Sequence, residues 1–211
     1  TPIMERTINK LVKGGIPVVT FNSDVPNSNR ACFVGQDLNR SGRVAAELIS
    51  KYIRHDGDVL VVAGNLEFDA HMRRVNGFQS RYAELGLGSE RLEVVESFND
   101  YGITYQKVRE ALERKASLKA IYMANENTAA CVEAIRSAAT PHKVLVACND
   151  LTDVTRRLLR KGRVDFVIKQ DIYSQGYLPV MILKDILLSN KHNIEPYVFT
   201  ATGIASIENM D

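Results

Sequence analysis

No stretch of this 211-residue sequence approaches the ~20 consecutive apolar residues of a membrane-spanning helix, so no membrane partner is expected. An excess of one charge is also missing. Lys and Arg total 27 against 25 Asp and Glu, a formal +2 spread along the chain. The basic cluster that a nucleic-acid or membrane surface needs is absent. Cysteine is sparse: Cys32, Cys131 and Cys148 each sit inside an apolar stretch, with no C-x-x-C and no Cys/His metal spacing. Neither a metal nor any other cofactor is therefore expected. The three read as buried reduced thiols and point to the cytoplasm.

Catalytic signatures are equally thin. There is no Walker lysine motif and no G-x-S-x-G elbow. Gly86-Leu-Gly88 looks like a phosphate-binding fragment, yet it closes a helix instead of opening one after a strand. His55, His71, His142 and His192 are scattered, and only His71 falls near the candidate site below. Without a paired nucleophile and base, the chain is expected not to be an enzyme.

What is present is a repeating pattern. Apolar runs Ile16–Phe21, Ala31–Gly35, Asp58–Ala63, Leu92–Ser97, Ala120–Ala124, Lys143–Cys148 and Asp165–Lys169 read as strands. Helical segments alternate with them near Ile3–Lys13, Gly42–Ile53, His71–Leu85, Thr104–Lys115, Thr128–Ala138, Asp153–Lys161 and Gly176–Ser189. Val44, Leu48 and Tyr52 recur every fourth residue, one face of a helix. Runs such as Val59-Leu-Val-Val-Ala63 and Val144-Leu-Val-Ala147 are continuously apolar, as in parallel strands covered by helices on both faces. The pattern predicts an α/β fold of two lobes, each a doubly wound, mostly parallel sheet. Residues 1–37 with 172–200 are expected to form a partial N-terminal lobe, and 38–171 with 201–211 the C-terminal ligand-binding lobe. Thr1-Pro2-Ile3 reads as a capped helix start in the middle of a larger protein. The partial lobe should then expose an apolar edge.

In a parallel sheet, ligands gather at the carboxyl ends of the strands. There the sequence repeats amides and carboxylates: Asn22, Ser23 and Asp24; Asn65; Phe98, Asn99 and Asp100; Asn125; Asn149 and Asp150; and Gln170. Arg74 follows in the first turns of a helix leaving that edge. Asn and Asp also cap helices after strands, but Gln170 is a poor cap, and the set as a whole favours binding. Amides give and take hydrogen bonds as hydroxyls do. Arg74 adds a planar fork of donors, and Phe98 an aromatic face for the C–H side of a sugar ring.

These residues carry a resemblance. Gly15-Ile-Pro-Val-Val-Thr-Phe-Asn22, Val34-Gly-Gln-Asp37, Ser41-Gly-Arg-Val-Ala-Ala46, His71-Met-Arg-Arg-Val-Asn-Gly-Phe78, Ala124-Asn-Glu-Asn-Thr-Ala129, Ile168-Lys-Gln170 and Ser174-Gln-Gly-Tyr177 stand in matching order. The chain resembles the type I periplasmic sugar-binding fold of the lactose/purine repressor (LacI) family and of ribose-type solute-binding proteins. The resemblance implies a sugar or polyol held between two lobes that close on it, touching Asn22, Asp37, Arg74, Phe98, Asn125, Asn149 and Gln170. Asn22 and Asn149 stand where sugar-binding relatives often have aspartate. That departure puts the usual bidentate grip on vicinal hydroxyls in question. The cysteines and Leu151-Thr-Asp-Val-Thr-Arg156 favour the effector domain of a cytoplasmic transcriptional regulator, a homodimer reaching DNA through a helix-turn-helix outside this chain. The alternative is the sugar-binding receptor of an ABC transporter.

Overall fold

The computed structural model describes residues 2–54, 56–189 and 193–210. Thr1 and its expected cap, His55 and His192 lie outside them. The order is α1 (Pro2–Lys13), β1 (Val19–Phe21), β2 (Cys32–Gln36), α2 (Leu38–Tyr52), β3 (Asp58–Ala63), α3 (Asp69–Glu84), β4 (Leu92–Glu96) and α4 (Tyr101–Arg114). It continues with β5 (Leu118–Met123), α5 (Thr128–Ala138), β6 (Leu145–Asn149), α6 (Asp153–Arg160), β7 (Phe166–Gln170), α7 (Ile172–Leu188), β8 (Tyr197–Thr200) and β9 (Thr202–Ala205). The chain divides into two compact units. One holds the residues up to Asp37 with Gln170–Thr202, the other Leu38–Lys169 with the residues from Gly203 on. Both units are α/β, each built on a mostly parallel sheet.

The larger unit is built on a sheet ordered β4-β3-β5-β6-β7-β9, in which β4 through β7 pair in parallel. Strand β3 shows why its run is continuously apolar. Leu60 and Val62 enter one core with Val108 of α4, Cys131 of α5 and Leu159 of α6. Val59, Val61 and Ala63 enter the other with Ile49 of α2 and Val75, Phe78 and Tyr82 of α3. Alternate side chains of a strand point to opposite faces, so both sets must be apolar. Phe78 stacks on Tyr122 with ring centroids 5.3 Å apart, and the rings of Phe78, Tyr82 and Tyr122 on this face are fully buried.

Helices α2 and α3 cross through two glycines. A Cβ on Gly42 would stand 1.9 Å from the Arg74 carbonyl oxygen, and one on Gly77 2.0 Å from that of Asn39. Each glycine receives the backbone of the opposite helix, and the crossing sets the position of Arg74.

The smaller unit has a parallel sheet ordered β1-β2-β8, with α7 against β1 and β2. The β1–β2 loop is held by an ion pair: Arg30 Nε and Nη2 lie 2.5 and 2.6 Å from the two oxygens of Asp24. Arg30 also donates to the Pro196 carbonyl at 2.8 Å and lies 4.7 Å above the Tyr197 ring of β8. Its helices expose apolar side chains: Ile3 and Met4 of α1, and Ile172, Tyr173, Val180, Leu187 and Leu188 of α7.

Several expected boundaries shift. Strand β1 begins at Val19, three residues later than expected, and Ala31–Gly35 becomes Cys32–Gln36. Helix α2 starts at Leu38, not Gly42, because Gly42 serves the crossing and not the helix start. Helix α7 starts at Ile172, not Gly176, because Asp171 caps it, accepting from the Ser174 backbone N–H at 2.9 Å. The final extended segment is two strands, β8 in the small sheet and β9 at the edge of the large one beside β7.

Gly42→Ala is expected to lower the unfolding free energy by about 1–3 kcal/mol through overpacking. Urea denaturation would read this as a lower midpoint at unchanged slope. An unchanged midpoint would contradict the crossing.

Candidate functional site

In the order β4-β3-β5 the connections leave β3 to opposite sides, so the carboxyl ends of β3 and β5 form a topological switch point. The loops there are tied to one another. Ser97 Oγ donates to the Ala63 carbonyl at 3.1 Å, the Phe98 N–H to that of Gly64 at 2.8 Å, and Asn127 Nδ2 to that of Asn99 at 2.6 Å. Phe98, Asn99, Asn127 and Asp150, all on these loops, have positive φ. For Phe98 (φ 53°), with no short polar side chain to compensate, that is a strained backbone at a strand end. Gly64 is glycine for space: a Cβ would lie 2.7 Å from Asn99 Oδ1 and 2.8 Å from His71 Cε1. Its absence lets Asn99 and His71 close over the end of β3.

Arg74 lies at this edge, one turn after His71 on α3, and is only 7% exposed. Nη1 donates to the Ala124 carbonyl at 3.5 Å, Nη2 stands 3.7 Å from Asp150 Oδ2, and the buried Nε has no hydrogen-bond partner among the described residues. A buried cation so loosely held is costly unless further acceptors reach it. His71 has a buried Nδ1 with no partner. Its pKa is pushed below the usual imidazole value, first by burial and then by the charge of Arg74. A hydrogen bond with the Ala124 backbone and the charge of Glu126 pull the other way.

The expected site residues fall into two groups. Arg74, Asn125 and Asn149 come together at the carboxyl edge of the large sheet. Asn125 is buried and donates to Ser97 Oγ at 2.8 Å; turned over, its amide would accept from Ser97 and donate to the Val62 and Glu126 carbonyls at 3.1 Å. Asn149 is buried too, but its amide is engaged inside the protein. It accepts from Ser41 Oγ at 3.2 Å and donates to Tyr122 Oη at 2.6 Å and to the Met123 carbonyl at 3.4 Å. This amide serves first as a strut between α2, β5 and β6. Phe98 ends β4 at the same edge with its ring exposed.

The other three lie in the smaller unit. Asn22 (φ 61°) follows β1, Asp37 follows β2, and Gln170 ends β7. Gln175 of α7, which sequence reasoning passed over, is their hub. It is buried, accepts from Asn22 Nδ2 at 3.1 Å, and donates to Gln170 Oε1 at 3.0 Å and to Thr200 Oγ1 at 3.4 Å.

Beside Asn125 and Asn149 opens a cavity of about 500 Å³. Its walls are Tyr101 at the start of α4, residues 125–129 entering α5, and Asn149, Asp150, Thr152, Val154 and Thr155 at the entry to α6. Sequence reasoning found Asn125 and Asn149 but not Tyr101, Glu126 or Val154, which carry no strand-end signal. Among the described residues no cluster of His, Cys, Asp and Glu could hold a metal ion, and no helix is long and apolar enough to cross a membrane. The three cysteines are buried and unpaired. Burial pushes the Cys148 thiol up to about 12, against a hydrogen bond from Thr128, and the Cys131 thiol higher still.

The His71 environment has a pH consequence. A folded pKa below the unfolded value of about 6.5 means the unfolded chain takes up the proton first, so stability is lost as pH falls from about 6.5 through the folded pKa. NMR titration of the His71 ring should give a midpoint below 6.5, and Arg74→Met should raise it. A midpoint unmoved by Arg74→Met would sever the two side chains electrostatically.

Residues 1–191 match the family model of the periplasmic binding protein domain. No curated protein matches the chain. Among solved structures, a sugar-binding protein of a sugar ABC transporter from Bacillus halodurans superposes with a TM-score of 0.87 at 23% identity, over 99% of this chain and 75% of that one. AraP, an arabinose-binding protein from Geobacillus stearothermophilus, gives 0.86 at 23%, over 98% and 73%. XylFII in its complex with LytSN gives 0.80 at 25%, over 97% and 72%. By the family model spanning most of its length, the chain belongs to the periplasmic binding protein domain family.

Proposed function

We propose that this chain is the sugar-binding domain of a solute receptor of the ABC-transporter type, and that it binds without chemistry. The observation that carries this reading is Arg74: a buried guanidinium with an unpartnered Nε and a loose 3.7 Å contact to Asp150, beside Asn125 at the switch point. Such a fork needs acceptors from a ligand, and a polyol offers hydroxyls that serve Arg74 as acceptors and Asp150 as donors. Asn22 and Gln170, joined through Gln175, offer a similar amide set in the smaller unit.

The receptor reading takes precedence over a regulator. Support comes from neighbours described as sugar-, glucose-galactose- or arabinose-binding proteins, and from two described as binding proteins of ABC transporters. Burial also weakens the cysteine argument for a cytoplasmic setting. Thiols held this far from ionising are poor nucleophiles and survive in an oxidising compartment. The receptor reading implies a place outside the cytoplasm and no need for operator DNA or a homodimer. Assembly with a partner protein is a second output, since one neighbour, XylFII, was solved in complex with LytSN.

The test is a thermal-shift screen with D-arabinose, D-xylose, D-allose, D-glucose and D-galactose. A true ligand at a hundredfold excess over Kd should stabilise the protein by about 2.7 kcal/mol. Arg74→Met, which keeps volume but not donors, should fold with unchanged circular dichroism and lose most of that shift. If the variant keeps the full shift, Arg74 is not in the site; if no sugar shifts the native protein, the sugar reading falls.

A further inference from the structure

The cavity beside Asn125 and Asn149 is larger than a monosaccharide; it shares Asp150 with the surroundings of Arg74, while Arg74 itself is not among its lining residues. About ten heavy atoms, each covalently packed below the roughly 30 Å³ share of a liquid water, fill well under about 300 Å³. The cavity measures about 500 Å³. Its far wall is chemically distinct from the Arg74 edge, carrying the half-exposed Tyr101 and Val154 and the first turn of α5.

Three features say what would fill it. No Lys, Arg or His lines it, whereas the carboxylates Glu126 and Asp150 do. Phosphorylated or acidic sugars would meet like charge there, while neutral hydroxyls can donate to both carboxylates. Helix α5 begins at Thr128 after Asn127, whose side chain makes no capping hydrogen bond. The first-turn amides at Thr128 and Ala129, both in the wall, are thus free to donate to a ligand oxygen. At the neighbouring α6, by contrast, Thr152 and Thr155 close a reciprocal cap. Finally, Tyr101 is 46% exposed while its hydroxyl donates to Glu133 at 2.5 Å, an arrangement that anchors the ring beside the cavity. An anchored aromatic ring next to hydroxyl acceptors suits the C–H face and hydroxyl rim of a second sugar ring.

We propose that this cavity is a second saccharide subsite, so that the domain takes a neutral disaccharide or longer glycoside, with one ring at Arg74 and Asn125 and the next between α5 and α6. The inference rests on the sugar-binding reading above, and the experiment separates the two.

Isothermal titration would compare D-xylose, L-arabinose and D-glucose with xylobiose, arabinobiose and cellobiose. At least one disaccharide should bind about tenfold or more tightly than its own monosaccharide, a margin of about 1.4 kcal/mol. Val154→Trp, which fills the far wall from a partly exposed position, should remove that margin and leave monosaccharide affinity within about twofold. Tyr101→Ala serves as a second variant and should shrink the same margin. Monosaccharide binding with no disaccharide advantage, or an advantage untouched by both variants, overturns the second subsite and leaves the sugar receptor standing. Failure of every sugar to bind overturns both.

Discussion

The close crossing of α2 and α3 is the constraint on which the larger unit turns. Two backbones approach until no Cβ fits at Gly42 or Gly77, and the carbonyl that would be struck at Gly42 belongs to Arg74 itself. The residue that presents a buried cation at the sheet edge is thereby located by backbone contact, not by its own flexible side chain. The same pair of helices covers the face where Phe78, Tyr82 and Tyr122 are buried, so the hydrophobic core and the site share one mechanical support. Tyr122 carries the link further: its hydroxyl accepts from Asn149, which accepts from Ser41 at the start of α2. Helix, strand and site residue are thus joined in a polar chain with apolar packing beneath it. Buried polar groups of this kind stabilise when every member is satisfied, and Asn149 is.

Arg74 is the exception within that ordered surround. Its neighbour Asn149 has committed its amide to the protein, whereas the guanidinium retains an N–H unsatisfied among the described residues and a long contact to Asp150. The adjacent His71 has an Nδ1 similarly unsatisfied, and burial and the charge of Arg74 lower its pKa. In the receptor reading proposed above, these preorganised polar groups at the switch point are the ones a ligand would engage. The far wall of the cavity, acidic and aromatic, is complementary to that cation and not a copy of it.

Much of this was legible in the sequence where a local rule decides the outcome. The β3 run and the α5 segment fall where the sequence predicts them because burial on both faces and an ordinary apolar periodicity leave no alternative. The edge amides were readable because strand ends in a parallel sheet are always candidate positions. What escaped depends on partners distant in sequence. Gly42 and Gly176 look like helix boundaries, yet one sits at a helix crossing and the other inside a helix capped earlier by Asp171. A short extended segment carries no mark of which sheet it will join, so β8 and β9 read as one strand. The commitment of Asn149 to Tyr122 and Ser41, and the role of Gln175 as a hub, are pairings across 27 to 153 residues that no local pattern encodes.

The central claim is that ligand meets the protein at the carboxyl edge of the large sheet. The most direct measurement is backbone amide chemical-shift mapping during titration with a sugar that the protein binds. The account predicts the largest perturbations at residues 74, 97–99, 125–129 and 150. Perturbations concentrated at the opposite edge, around His142, Lys143 and Arg163, with those residues silent, would contradict it.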